Sequence, residues 1–382
     1  MKLLKNLVQI ESLSGQEAKL ADFIMTYCQK NSIPATKQAG NVIIHLKGKD
    51  RTKSLIFNAH MDTVGPGDSA KWKYPPAGKG AGKIVGGKLY GLGASDDKVA
   101  IAAMLSLAEK HLPGGPDVTS GTPGMVKESI KPPLDLWFTF VTREETSGSG
   151  TASFLTWFTA SKYHKQYKKI AAIIGEPTGL KTLEIGHRGN AFYQLETNGL
   201  SGHAAKKYND QDLAIEKMLK ALFKLKQVVK IWETEYQDKI LGKPTLNITA
   251  LTAANDTPNK TAGVCTASLD IRTTPSLHGH LYAKLKKVLG REVKVTLAQV
   301  SRPSGMTSAK SPIVAAFQKA IPGISRTVSM GSTDICQFTQ KGIDAVAFGP
   351  GEKEVIHKEN EYCILEKVDQ AVDIYKKVIG NF

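Results

Sequence analysis

An α/β fold is predicted for this 382-residue chain, and two observations predict it. First, three separate apolar strands, at 55–59, 134–142 and 170–174, each run into acidic or histidine residues. Doubly wound α/β sheets place their ligand sites at such carboxyl ends of strands. Second, from Gly186 the element order becomes strand, helix, strand, strand, helix, strand. That order is the ferredoxin-like split unit. The expected organisation is therefore an α/β domain formed by 1–186 and 302–382, with an α+β domain inserted at 187–301.

The elements follow in order. Residues 3–10 and 16–29 read as helices, the second with Leu20, Phe23, Ile24 and Tyr27 at helical spacing. Ser14 is placed to cap it, and Glu17 to complete a capping box. NVIIHL (41–46) and LIFNA (55–59) read as strands joined by the turn-rich KGKDRT. The second strand exits into His60 and Asp62. Alternate residues of a strand point the same way, so His60 could face a metal with the Asp62 carboxylate behind it, fixing its tautomer. A hydrogen-bonded His–Asp pair without a metal is the competing reading. The Gly/Pro-rich segment Gly65 to Gly87 reads as a loop leading to Lys88-Leu89-Tyr90, GLGASDDK (91–98) and a helix, VAIAAMLSLAEK. GLG is no dinucleotide fingerprint, because the third glycine is missing. Residues 112–133, rich in Pro, Gly, Ser and Thr, read as a surface excursion. LDLWFTFVT (134–142) is a buried strand running into Arg143-Glu144-Glu145, and TASFLTWFTASKY is a helix. The strand 170–174 ends in GEPT. The insertion carries AFYQLETNG, a helix over 212–231, TLNITAL, GVCTASLDIR, the helix HLYAKLKKVL and EVKVTLAQV. Residues 302–382 supply helix, strand and a terminal helix, expected to complete the first domain.

Composition narrows the function classes. Hydrophobic residues make up 41% of the chain, enough for a sizeable core and against wholesale disorder. No apolar run approaches the ~18 residues of a membrane span, and no apolar signal core follows Met1–Lys5. A cytoplasmic location with no membrane partner is expected. Cys28, Cys265, Cys336 and Cys363 form no CxxC and fit reduced thiols. The net charge of +16 comes from lysines spread along helices and turns, as in KLKQVVK and KLKKVLG. Without a basic run interleaved with aromatics, a solvated surface is expected rather than a nucleic-acid partner.

The polar residues at strand ends are His60, Asp96, Glu144, Glu145, Glu176 and, near the end, His357 of VIHKENE. Two His and several carboxylates suit Zn²⁺, with Mn²⁺ or Co²⁺ as substitutes. A two-metal site needs one bridging carboxylate and further ligands on each ion. His60 and Glu176 on one ion, Glu145 and His357 on the other, and Asp96 between them fit that layout. Glu144 then stays unligated and available as a base. Asp97 is a competing ligand to Asp96, and Glu144–Glu145 could instead be a solvated pair at a helix start.

AHMDT, GLGASDDK, the paired acids of TREET, GEPT and VIHKENE occur in this order over nearly the whole chain. Together they resemble the co-catalytic zinc hydrolase family of acetylornithine deacetylase, succinyl-diaminopimelate desuccinylase, aminoacylase and glutamate carboxypeptidase. The resemblance implies a metal-binding α/β domain with a smaller lid domain that dimerises. It implies two Zn ions held by His60, Asp96, Glu145, Glu176 and His357, Asp62 orienting His60, and Glu144 as general acid/base. In GLSGHAA, His203 resembles the lid histidine that reaches a partner subunit's active site; capping a loop is its alternative. Arg272 resembles a substrate-carboxylate arginine, against a structural salt bridge. Arg188, in GHRG, and Asn255 are further substrate-binding candidates, and Gly331-Ser332-Thr333-Asp334 resembles a loop facing the site. His278 and His280 read as surface residues. Two departures stand out: Val99 follows Lys98 where the family has Gly, and Arg143 precedes the acids where it often has Asp. The implied activity is hydrolysis of an amide bond in an N-acyl amino acid or short peptide, by a deacylase or exopeptidase acting as a homodimer. A catalytically silent metal-binding or scaffold protein on the same fold is the alternative.

Overall fold

The computed structural model describes residues 1–112, 131–255, 257–329 and 331–382. Most of the expected 112–133 excursion lies outside the described residues. The chain forms two compact units. One comprises Met1–Gly186, Met306–Thr327 and Thr333–Phe382; the other comprises His187–Gly305 and Val328–Ser332.

The first unit begins with α1 (Lys2–Gln9), α2 (Ala18–Lys30), β1 (Ala35–Gln38), β2 (Asn41–Leu46) and β3 (Asp50–His60). It continues with β4 (Lys83–Val85), β5 (Lys88–Tyr90), α3 (Lys98–Glu109), β6 (Leu134–Val141), α4 (Ser149–Ala160), α5 (Lys162–Gln166), β7 (Lys169–Pro177) and β8 (Thr182–His187). Its later part holds β13 (Gly305–Met306), α9 (Pro312–Ala320), β14 (Ser325–Ser329), α10 (Ile335–Thr339), β15 (Asp344–Gly349), β16 (Tyr362–Ile364) and α11 (Glu366–Asn381). The main sheet runs β1-β2-β6-β3-β7-β15-β8-β13, with β14 beside β8.

β3 pairs in parallel with both β6 and β7, and β7 in parallel with β15. Parallel strands are covered on both faces and read as continuous apolar runs, which is why every residue of β6, LDLWFTFV, is buried. Alternation then sorts the side chains. Leu55, Phe57, Leu136, Phe138 and Ile173 join one core with α1, α2, α3, α9 and α11. Ile56, Trp137, Ala172 and Ile174 join another with Phe154 and Phe158 of α4 and Ile335 and Phe338 of α10. In register, His60 lies opposite Val141, Asn58 opposite Ile174, and Gly349 opposite Pro177. The carboxyl ends of β6, β3, β7 and β15 therefore emerge side by side. The close approach of β7 and β15 there requires glycine: a Cβ on Gly349 would sit 1.7 Å from the Gly175 carbonyl oxygen.

The second unit holds β9 (Gly189–Asn198), α6 (Ala214–Glu235), β10 (Thr245–Thr252), β11 (Val264–Thr273), α7 (Pro275–His278), α8 (Leu281–Leu289) and β12 (Lys294–Leu297). Its sheet runs β10-β11-β9-β12, every pair antiparallel, which is the ferredoxin-like arrangement. β9 and β11 bury alternate residues, as a sheet with one covered face does. Met218, Leu222, Leu225 and Trp232 of α6 and Leu281 and Leu285 of α8 pack on Tyr193, Leu195, Ala267 and Leu269.

Two expectations are corrected. Glu17 and Ser14 form no capping box: α2 begins at Ala18 and no side chain caps it. The Gly65–Gly87 stretch contains a strand, β4, which joins β5 and β16 in a small antiparallel sheet. β4 was missed because its residues are exposed and lack an alternating pattern.

Candidate metal centre

His60, the last residue of β3, has 3% of its surface exposed. Its Nε2 lies 3.0 Å from Asp96 Oδ1, and its Nδ1 lies 2.9 Å from the backbone oxygen of Asp62. The Asp62 carboxylate is farther away, with Oδ1 at 3.5 Å from Nδ1. The carbonyl of Asp62 thus holds the imidazole more closely than the expected carboxylate does. The carboxylate accepts instead from Ser14 Oγ at 2.6 Å, Glu144 N at 2.9 Å and Glu145 N at 3.1 Å. It ties the loop after β6 to the end of β3.

Asp96 precedes α3 and turns its two oxygens to different histidines. Oδ1 faces His60, and Oδ2 lies 3.2 Å from His357 Nε2. His357 Nε2 also lies 3.0 Å from Glu145 Oε1. Ligand atoms of His60, Asp96 and Glu145 fall within 4.8 Å of one another, and so do those of His60, Glu144 and Glu176. The six strand-end residues singled out from sequence therefore meet at one place. Asp97, the competing acid, belongs to neither group. Its carboxylate is buried against Gly175, where a Cβ would sit 2.7 Å from Asp97 Oδ2.

Burial and mutual charge shift the titration of these groups. Burial alone would depress the His60 imidazole, but Asp62 and Asp96 outweigh it and raise its pKa. Burial would raise Asp96, yet hydrogen bonds from His357 and His60 hold it below the usual carboxylate range. The hydrogen bonds to Asp96 and Glu145 push His357 up to about 10. Glu145 is pushed up to about 6, chiefly by burial. Burial, with the like charges of Asp96 and Glu144, drives Glu176 well above its ordinary value. Buried acids forced toward neutrality by one another form a site that a cation relieves. Imidazole nitrogens and carboxylate oxygens are donors suited to Zn²⁺ and related divalent ions, so the residues present fit a metal.

Sequence reasoning missed the supports of this cluster. Besides the Ser14 bond to Asp62, Glu17 Oε1 accepts from Gly15 N at 2.8 Å and Arg143 N at 3.0 Å. Arg143 itself has φ +57°, so the Glu17 bond anchors a left-handed residue immediately before Glu144. Lys98, fully buried, donates from Nζ to Ile10 O at 2.8 Å, and burial lowers its pKa to about 8. Asp334, of the GSTD segment, accepts from Thr151 Oγ1 at 2.5 Å.

The remaining candidates lie in the second unit. His203 is exposed; its Nδ1 accepts from Ala205 N at 3.2 Å, and its backbone bridges Lys260. The Asn255 amide donates to the Lys260 carbonyl. Asn255, Lys260, Thr261, Ser201, Ala254 and Gly263 line a cleft of about 400 Å³. Arg188 donates to Lys243 O at 2.8 Å. Arg272 makes a two-pronged pair with Asp270, Nε to Oδ1 at 2.8 Å and Nη2 to Oδ2 at 2.9 Å. Burial and then the Arg272 cation lower the pKa of Arg188, so the two guanidiniums share one neighbourhood. His278 is half-buried rather than a surface residue. Its ring lies 2.7 Å from Thr273 Oγ1 and 3.3 Å from Ser301 Oγ.

Parallel strand ends that bring histidines and buried acids together in an α/β unit define a class, the metal-dependent hydrolases of amide bonds. The model of peptidase family M20/M25/M40 matches residues 56–381, and the chain belongs to that family. It is 27% identical over 391 aligned residues to a peptidase M20 domain-containing protein of Schizosaccharomyces pombe, covering 99% of this chain and 84% of that one. It is 28% identical to the acetylornithine deacetylase of Aliivibrio fischeri over 85% of this chain and 80% of the relative. The crystal structure of a tripeptidase from Staphylococcus aureus has the same fold, with a TM-score of 0.73 at 18% identity, covering 99% of this chain and 96% of that one. No helix among the described residues is long and apolar enough to cross a membrane.

Proposed function

We propose that the chain hydrolyses the amide bond of a small N-acyl amino acid or short peptide with two divalent metal ions, Zn²⁺ foremost. One observation carries the reading: side chains far apart in sequence, from His60 to His357, converge on Asp96, whose two oxygens face different histidines. His60 and Glu176 would hold one ion, Glu145 and His357 the other, and Asp96 both. When bound, such ions lower the pKa of water toward ~7 and polarise the scissile carbonyl.

Glu144 takes the proton of the attacking water and later delivers it to the leaving amine nitrogen. It is buried, its backbone is pinned by Asp62, and a carboxylate oxygen lies within 4.8 Å of ligand atoms of His60 and Glu176, which supports that role. The second unit carries the substrate-binding candidates. Arg188 and Arg272 bring two guanidiniums to a single acid, Asp270, leaving an excess cation for a substrate carboxylate. His203 and Asn255 offer hydrogen bonds to its carbonyl groups, His203 from a partner subunit.

A homodimer through the second unit is part of this reading. β10 is an edge strand carrying exposed Leu251, and α6 exposes Ile215, Leu219 and Phe223, the last with 67% of its surface free. Apolar residues at this spacing form one stripe. Phe223→Asp should convert a dimer to a monomer in sedimentation velocity; a wild-type monomer refutes it.

The deciding experiment is a screen of N-acetyl amino acids, N-succinyl amino acids and dipeptides, with Zn²⁺, Co²⁺ or Mn²⁺ added to metal-free protein. Turnover of one class separates deacylase from peptidase. Glu144→Ala should lower turnover about 10²- to 10⁴-fold while keeping the metal content measured by atomic absorption. No turnover of any substrate by metal-loaded wild type favours a silent metal-binding protein.

A further inference from the structure

β16 pairs antiparallel with β5, Tyr362 opposite Tyr90, and Gly91 N donates to the Glu361 carbonyl at 3.0 Å. This register sets Glu361 against the loop that leaves β5 toward Asp96. Its side chain is 1% exposed. Oε2 accepts from Gly93 N at 3.0 Å, and Oε1 accepts from Ser95 N at 2.7 Å and Asp96 N at 3.0 Å. Three consecutive-loop N–H groups thus converge on one buried carboxylate. Glu361 is in neither of the groups of potential metal ligands found among the described residues.

We infer that Glu361 is a positioning residue that fixes the Asp96 backbone so that both oxygens of Asp96 face their histidines. The inference rests on the metal-site reading above. Asp96 is held at its own N–H by this bond, and a rotation there would swing Oδ1 away from His60 and Oδ2 away from His357 together. The same segment carries His357, four residues before Glu361. A second tie joins the two segments: Glu352 N donates to Ser95 Oγ at 2.5 Å. Glu361 therefore links the placement of Asp96 to that of the His357 segment. A carboxylate is required because two separate oxygens accept. Glutamine keeps an oxygen for Ser95 and Asp96 but sets an amide N–H against the Gly93 N–H.

The test uses full-length, metal-free wild type, Glu361→Gln and Glu361→Ala. Each is titrated with Co²⁺ by calorimetry and visible absorption, and exchange of the amides of 91–97 is followed without metal. The alanine variant should bind Co²⁺ about 10- to 100-fold more weakly, the range typical for loss of a group that orients a ligand. The glutamine variant should lose less. Amides of Gly93, Ser95 and Asp96 should exchange faster in the alanine variant and that of Gly93 most in the glutamine variant, with unchanged far-ultraviolet circular dichroism. Should the alanine variant fail to fold, the glutamine variant decides. A folded Glu361→Gln protein with wild-type Co²⁺ affinity overturns the inference and leaves the metal-site reading intact. Wild type that binds no Co²⁺ overturns both.

Discussion

Replacing Asp62 tests how the site is held. Its carboxylate accepts from Ser14 Oγ and from the N–H groups of Glu144 and Glu145. A hydrogen bond to a charged group contributes about 1.5–3 kcal/mol. Asp62→Ala removes all three bonds and leaves the donors unpaired, so it should cost about 4.5–9 kcal/mol by the same scale. Asp62→Asn behaves differently. Its oxygen can still accept from Glu144 N, and its amide can donate to the Ser14 hydroxyl. Only the Glu145 bond turns into a clash of donors, so the loss should be about 1.5–3 kcal/mol. Urea unfolding in the presence of chelator reads both values without a metal contribution. Turnover should fall in both variants, because Glu144 loses or loosens its anchor. Equal destabilisation by Asn and Ala, or a cost below about 1.5 kcal/mol for Ala, would refute this account of the carboxylate.

Other consequences are independent of that one. His357→Ala removes a half-exposed ring that faces Asp96 and Glu145; metal analysis should show one ion per chain rather than two, and the metal-free form should lose stability at neutral pH, since the contacts that raise the imidazole pKa to about 10 are lost. Phe138→Ala, at a fully buried position in β6, should cost about 3–5 kcal/mol in denaturant titration. Asp135 is buried and accepts from Gly48 N, Tyr167 Oη and Arg51 Nε, with His45 Nε2 at 3.0 Å. Burial would raise its pKa, but His45, Gly48 and Tyr167 outweigh that and lower it. A depressed acid contributes stability that is present above its unfolded value of about 3.9 and is lost as pH falls. Asp135→Asn should therefore be less stable than wild type at pH 7, with the gap narrowing below about pH 4. Excess metal should raise the melting temperature of wild type, with about 2.7 kcal/mol of stabilisation per bound ion at one hundred times its Kd; no shift would count against a preformed site.

Much of this was legible in local pattern. The run LDLWFTFV could only be a strand covered on both faces, and its exit had to carry Arg143, Glu144 and Glu145 to the sheet's ligand end. The helix expected over 212–231 is α6, Ala214–Glu235, two residues later at its start and four at its end. What stayed hidden were bonds between distant segments. Ser14 and Glu17 look like a capping box because both uses employ the same chemistry, an oxygen meeting a backbone N–H. Their actual partners, Asp62 and Arg143, are 48 and 126 residues away. Glu361 reaches Asp96 across 265 residues, and although it closes VIHKENE, nothing in that motif says which N–H groups it meets. The Arg272–Asp270 pair was readable in principle, since residues two apart on a strand share a face.

The split of the first unit around the second carries a consequence for biosynthesis. Glu176 and every earlier proposed ligand leave the ribosome well before His357, which trails Glu176 by 181 residues (357 − 176). At about 5–20 residues per second, that delay is on the order of ten to forty seconds. Throughout it, β15 and β16 are missing from the sheets they complete. A nascent chain would hold a lopsided set of donors, so competence for two ions arrives only once the segment around His357 has been made.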